Sequence, residues 1–199
     1  MEIPIAALPG YEYFYLAHEK QLDRAQGLQI RPLTFPDSGA IASAYAQGRL
    51  VIAQITTVEA VDICSRVPQR CPVVVMALNE SRGGDKVVVR PSIGSVAGLR
   101  GRRVGVATNT LGPYVLSRAL ARAGLRLDDV RIVPMPLEAM GDRLRSGEID
   151  GVAFFPPPSA TRCLPAAREW RPSAAPRSQG RSSMYWWWSP PGTARTCPP

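Results

Sequence analysis

Apolar and polar positions fall in alternating blocks along the chain, and the blocks read strand, turn, helix, strand. Ile3–Leu8 is an apolar run of strand length, and Pro9-Gly10-Tyr11-Glu12 turns it into a short helix ending near Gln21. Tyr13–Ala17 and Leu22 supply that helix's apolar side. Leu28–Phe35 is the second strand, expected to lie parallel to the first across the intervening helix. Pro36–Gly39 opens the next helix, with Ser38 as N-cap, Ile41 and Tyr45 on one face, and Gly48 as its stop. Leu50–Ile55 follows as a third strand, and Thr56-Thr57 starts a helix that runs through Val58, Val61, Ile63 and Cys64. Pro72–Leu78, apolar throughout, reads as a fourth, buried strand.

The second half repeats the plan. Val87–Val89 is a β-run, broken by Pro91-Ser92-Ile93-Gly94 and followed by a short polar helix. Arg103–Ala107 is a strand that meets a polar turn, Thr108-Asn109-Thr110. Gly112 suits an N-cap and Pro113 the first helical position. Leu116, Ala119, Leu120 and Ala123 then fall on one face, and Gly124 takes the left-handed stop. Val130–Val133 is a strand, and Pro136 opens a helix with Leu137, Met140 and Leu144 on one side and Gly147 at its end. Ile149–Phe155 is the last strand of the pattern. Strict alternation predicts an α/β layer structure, here divided into a first lobe over 1–90 and a second over 91–158.

In open α/β sheets ligands bind at the carboxyl ends of the strands, and every polar turn here follows a strand and precedes a helix. Such turns present backbone N–H groups and the positive end of the helix dipole. Ser38, Gly39 and Thr56 are each plain caps or ligand contacts. Their repetition on one edge, with Thr57 beside them and Thr108-Asn109-Thr110 in the other lobe, points to a site. Tyr11 is a ligand wall or a core aromatic. Glu12 would repel an anion if it pointed inward and is expected instead to cap its helix. His18, among charged neighbours, reads as a solvated or satisfied residue and not a catalytic one. Two segments echo one another: Tyr45–Ala53 and Arg143–Ala153 both read helix, Gly, charged residue, strand.

Charge and composition refine this picture. Residues 1–155 carry 18 Lys/Arg against 15 Asp/Glu, and 156–199 carry 6 Arg against 1 Glu, so the excess of positive charge belongs largely to the tail and predicts no nucleic-acid partner. Four cysteines without a Cys-x-x-Cys, and one His, exclude the usual zinc patterns, so no metal or cofactor is expected. Cys64 and Cys71 are placed to pair in an oxidising compartment or to remain two buried thiols. No apolar run reaches membrane-spanning length. No basic start with an apolar h-region precedes the first strand, so no secretory signal is expected in this chain.

Several pieces, in this order and spacing, carry a resemblance: Pro9-Gly10-Tyr11-Glu12 with Tyr15-Leu16-Ala17-His18-Glu19-Lys20; Ser81-Arg82-Gly83-Gly84-Asp85; Leu99–Val106; and Ala123-Gly124-Leu125 with Asp129-Val130. They resemble the solute-binding proteins of ABC importers, within these the nitrate/sulfonate/taurine group, which shares its fold with thiamine-pyrimidine-synthase-like proteins. The resemblance implies a two-lobed, type II periplasmic-binding-protein-like fold. It implies a monomer that closes over a small anionic or zwitterionic solute and presents it to a membrane permease outside the cytoplasm. Gly10, Tyr11, Ser38, Gly39, Thr56, Thr57, Thr108, Asn109 and Thr110 would bind the solute. Ser81 and Asp85 would be ligand contacts or hinge residues. In the echoed unit the family often has Asp after the Gly; Asp150 matches, and Val51 departs, which bears on ligand class more than on fold.

Two other functions share related folds. The pyrimidine-synthase enzyme of thiamine biosynthesis needs a cofactor-linked Lys, a His and a Cys-rich motif, whereas Lys20, Lys86 and His18 are this chain's only Lys and His residues. The effector-binding half of a transcription regulator would follow a helix-turn-helix, and none precedes residue 1. The resemblance reaches Phe154-Phe155-Pro156, which looks like a rim step, and stops after Pro158. The second lobe is therefore expected to be incomplete and residues 159–199 disordered. Met184-Tyr185-Trp186-Trp187-Trp188, read two bases later, would begin Val-Leu-Val-Val. That marks the tail as a candidate for out-of-frame translation.

Overall fold

A computed structural model describes residues 1–6, 10–81 and 84–154, together with the backbone of Arg168–Trp170. Leu8, Pro9, Phe155, Pro156 and the Met184–Trp188 run, all used in the reading above, lie outside the described residues. The chain forms two compact units, one holding Met1–Arg82 and the other beginning at Gly83.

In the first unit, β1 (Glu2–Ala6) pairs in parallel with β2 (Arg31–Phe35), in register from Glu2 opposite Arg31 to Ala6 opposite Phe35. The expected β-α-β start is present, with α1 (Tyr13–Glu19) between the strands. Helices α2 (Ser38–Ala46) and α3 (Thr57–Arg66) follow. Ile3, Ile5, Ala6, Ile30, Ile41, Ala44 and Ile63 form its buried apolar centre.

Several expectations for this unit fail. Leu50–Ile55 and Pro72–Leu78 form no strands. Val73, Val74, Val75 and Met76 are 83%, 67%, 92% and 61% exposed, where a buried strand was expected. An all-apolar run is buried only when sheet neighbours and covering layers meet it, and the described sheet of this unit ends at β1 and β2. For the same reason α1 has no buried residue, and Tyr13, Tyr15 and Leu16 on its expected apolar side are half exposed. Asp37, not Ser38, is the N-cap of α2: its backbone is extended and its Oδ1 accepts the Ala40 N–H at 2.7 Å. Asp and Ser cap equally well by type, but the Ser38 hydroxyl is turned to Glu59, which leaves Asp37 as the cap and Ser38 as the first helical residue. Cys64 and Cys71 are joined in a disulfide, and Cys71 is exposed, so the reading of two buried thiols is set aside.

The second unit is built on one five-stranded sheet, in the order β5 (Arg131–Pro134), β4 (Arg103–Val106), β6 (Gly151–Phe154), β3 (Lys86–Val89), β7 (Arg168–Trp170). β4 runs parallel to β5 and β6, and β3 runs antiparallel to β6 and β7. Because β3 pairs here, the division between the units falls before it, at residues 82–83, and not at residue 90. β7 forms a strand within 159–199, where the sequence predicts none. A ladder is made by backbone groups, so three residues pair without any apolar alternation. α4 (Gly112–Arg122) and α5 (Leu137–Ser146) cover the sheet through the predicted positions: Leu116, Ala119 and Leu120 are buried on α4, Met140 and Leu144 on α5. α4 begins one residue early, at Gly112, with Pro113 second. Val88, Ala107, Met135, Met140, Leu144, Ile149 and Val152 pack as a single apolar cluster.

Candidate functional site

Three turns of the first unit bring polar groups together. The turn after β1 carries Gly10 and Tyr11, and the starts of α2 and α3 carry Ser38 and Thr56. Their meeting point is Glu59, in the first turn of α3. The Ser38 hydroxyl donates to Glu59 Oε1 at 2.6 Å. The Thr56 N–H and Thr56 hydroxyl donate to Glu59 Oε2 at 2.7 and 3.1 Å. The Glu59 N–H in turn donates to Thr56 Oγ1 at 3.2 Å, which closes a capping box. Tyr11 is buried, with its hydroxyl on Ser38 and Glu59 beside it.

Glu59 is 5% exposed and forms no ion pair among the described residues. Burial pushes its carboxyl above the ordinary range, against the hydrogen bonds from Ser38 and Thr56 that pull it down. Burial, followed by the Glu59 charge, likewise pushes the Tyr11 phenol up. The two hydroxyls spend their protons on Glu59. Toward anything else Ser38 and Thr56 can therefore act only as acceptors while Glu59 is ionised.

Gly10 is held separately. Its carbonyl accepts from Asn79 Nδ2 at 2.9 Å and its N–H donates to Glu12 Oε2 at 2.6 Å. Glu12 therefore folds back onto the turn and makes no side-chain cap for α1. At φ +91, with the Asn79 amide where a Cβ would stand, only glycine fits at position 10. Gly39 is buried and Thr57 exposed. Gln54 reaches the Pro4 carbonyl at 3.2 Å, and its own buried Oε1 has no protein partner among the described residues.

In the second unit the Thr108–Thr110 turn joins β4 to α4, as predicted. Thr110 is buried and its hydroxyl donates to the Ala107 carbonyl at 3.0 Å, so it serves the turn itself. Thr108 and Asn109 are exposed. Ser81 and Asp85 are partly buried. The structure thus gathers Tyr11, Ser38 and Thr56 around one carboxylate and leaves Thr57, Thr108 and Asn109 open to solvent. Sequence reasoning missed Glu59 and Asn79. For Glu59 the signal was present, since Thr-x-x-Glu ahead of an apolar helix is the capping-box pattern. Asn79 had none. No group of three His, Cys, Asp or Glu gathers to hold a metal among the described residues.

Two units that each pack helices with a sheet, with polar turns after the strands, define the α/β class to which periplasmic binding proteins belong. Residues 9–157 match the model of the family described as NMT1/THI5 like, and the chain belongs to that family. A binding protein of Brucella abortus (strain 2308) is 31% identical over 83 residues, which is 42% of this chain and 26% of that protein. The fold is similar to the periplasmic aliphatic sulphonate binding protein SsuA of Escherichia coli, with a TM-score of 0.64 and 20% identity over 85% of this chain and 56% of that one. It is also similar to the alkanesulfonate-binding SsuA of Xanthomonas axonopodis pv. citri bound to MOPS (0.59; 16%; 84% and 59%). The periplasmic nitrate-binding protein NrtA of Synechocystis PCC 6803 is a third match (0.61; 15%; 84% and 50%). The match spans between half and three-fifths of these structures and about a quarter of the Brucella protein. The Brucella protein and the three structures named above are binding proteins.

Proposed function

We propose that the chain is the solute-binding component of an ABC importer, acting outside the cytoplasm as a monomer that hands a small solute to a membrane permease. Membership of the family is the observation that carries this reading. The solute is small and anionic or zwitterionic: a sulfonate, nitrate, taurine or a pyrimidine-like compound. Gly10, Tyr11, Ser38, Gly39, Thr56, Thr57 and Ser81 of the first unit recognise it, with Thr108, Asn109 and Thr110 of the second.

The Glu59 network narrows the choice. A buried carboxylate without a counter-charge disfavours a bare anion nearby, and hydroxyls turned into acceptors favour a solute that brings N–H donors. Taurine and aminopyrimidines carry such donors, while nitrate and ethanesulfonate do not. Taurine and ethanesulfonate differ at that end only by the amine, so calorimetric titration of the pair isolates the effect. Tighter binding of taurine is expected. Equal binding would remove the role of Glu59, and no binding of any sulfonate, nitrate or aminopyrimidine would remove the importer reading itself.

A further inference from the structure

The Cys64–Cys71 disulfide belongs to none of the features above. It ties the last turn of α3 to the residue that follows the short 3₁₀ turn Pro68–Arg70. Arg70, immediately before Cys71, reaches away from the bridge toward the end of α2. Its Nε and Nη2 donate to the Tyr45 carbonyl at 3.2 and 2.9 Å, its Nη2 donates to the Leu50 carbonyl at 2.8 Å, and its guanidinium lies 4.9 Å from the centre of the Tyr45 ring. The last carbonyls of a helix lack intrahelical partners. Here the Gly48 N–H at 2.9 Å and Arg70 share the Tyr45 carbonyl, and the Arg49 N–H takes the Ala44 carbonyl at 3.0 Å. The bridge therefore fixes the backbone that aims the clamp closing α2.

The geometry points to Cys64–Cys71 as a thiol-exchange site, through which a dithiol oxidoreductase makes or opens the Arg70 clamp. Cys71 is the exposed residue of the pair and Cys64 is half-buried, so attack is assigned to the Cys71 side of the bridge. A thiolate of the reductant bonds to Cys71 Sγ, the Cys64–Cys71 bond breaks, and Cys64 leaves as a thiolate that takes a proton from water. The second thiol of the reductant then displaces Cys71 from the mixed disulfide. Two electrons and two protons pass from the dithiol to the pair, and the reductant is left as a disulfide. Formation of the bridge is the reverse, with an oxidised partner of the same class. This inference is independent of which solute the protein binds.

The full chain, recovered from an oxidising compartment, is alkylated under denaturing conditions and digested with trypsin, which cuts after Arg66 and Arg70. The peptides Leu50–Arg66 and Cys71–Arg82 are expected as a linked pair, a readout that Cys163 and Cys197 do not enter. Treating the native protein with a thioredoxin-class dithiol should abolish that pair. Amide exchange at Gly48 and Arg49 should then rise roughly five- to tenfold, the loss expected when hydrogen bonds of ordinary net strength are released. Arg70→Gln should show the same rise with the bridge intact and no further rise on reduction. If that variant does not fold, the oxidised and reduced wild type decide between them. Free thiols at both positions in the recovered protein, or reduction that leaves Gly48 and Arg49 unchanged, would overturn the assignment.

Discussion

In the first unit α2 ends at Ala46, Gly48 takes φ +77, and the chain continues Arg49-Leu50-Val51. In the second, α5 ends at Ser146, Gly147 takes φ +80, and the chain continues Glu148-Ile149-Asp150. Both glycines are needed for the left-handed turn, and in both copies the apolar residue two positions on is buried. The next residue separates them. Asp150 is 6% exposed: its Oδ2 accepts the Arg103 N–H at 3.1 Å, its own N–H donates to the Arg103 carbonyl at 2.8 Å, and its carbonyl accepts the Arg90 N–H at 3.0 Å. Arg103 also reaches the Gly147 carbonyl at 3.0 Å. Val51 is 84% exposed, and no such tie is seen for it among the described residues. Strand β6 follows Asp150, whereas the residues after Val51 form no strand with the described residues. The aspartate is a latch that sets the register of a strand against its neighbour, and its place in the echoed unit is structural before it is anything to do with ligand.

The comparison breaks first at its buried positions. Ile149 is fully buried within the apolar cluster of the second sheet, so Ile149→Ala should cost about 3 kcal/mol. Leu50 sits at the margin of a smaller core, and Leu50→Ala should cost about 2 kcal/mol. Urea melts of the two variants give the ordering, and a larger loss at Leu50 would mean that the first unit is the better packed.

Removing the latch comes next. Asp150→Ala leaves the Arg103 N–H without its side-chain acceptor and takes the counter-charge from Arg90 and Arg103, at 4.0 and 3.7 Å. Those arginine side chains are 38% and 48% exposed, so water recovers part of the loss, and about 2 kcal/mol is expected. Exchange of the β6 amides should rise with it. A melt within experimental scatter of the wild type would show the latch to be idle.

How far the chain explained itself follows the same division. Around α4 and α5 the apolar spacing, the opening prolines and the stopping glycines each pointed to the observed element, because both helices cover a sheet with strands enough to bury them. Pro72–Leu78 carries an equally strong apolar signal and is exposed. Burial depends on partners that a local pattern does not specify. The candidate site was legible as turns: Tyr11, Ser38 and Thr56 do converge. What holds them together was passed over, since the reading followed hydroxyls and glycines and did not use the Thr-x-x-Glu pattern that marks Glu59 as a capping-box partner. Asp37 was likewise passed over as cap because Ser38 beside it suited the role equally well on residue type alone.

A smaller, signed effect belongs to the buried Glu59 carboxyl. The fold raises the Glu59 carboxyl above its unfolded value, chiefly by burial, so the native state holds that proton more tightly than the unfolded chain. Its contribution therefore favours the fold at acid pH and declines as pH rises through the raised value. Melting temperatures of wild type and Glu59→Gln, taken from about pH 4 to 8, should show the wild type losing ground relative to the variant as pH rises. A difference that grows in the opposite direction would place the carboxyl in an environment that stabilises its charge.

Val51→Asp is the smallest expected change and the sharpest test of what the latch requires. The substitution restores in the first unit the residue that β6 has after its buried apolar position. An aspartate at an 84% exposed position stays in water. The guanidinium that reaches the Leu50 carbonyl, that of Arg70, is already engaged by the Tyr45 and Leu50 carbonyls, and that of Arg66 is held by Asp62. Without an amide to accept from and an arginine to neutralise it, the carboxylate has nothing to set in register. Stability should stay within about 0.5 kcal/mol of the wild type, as for surface substitutions in general, and the amides of residues 50–55 should exchange as before. A rise in stability with new protection across those residues would mean that the aspartate recruits its own partner strand, and that the missing ladder of the first unit is owed to one side chain and not to missing neighbours.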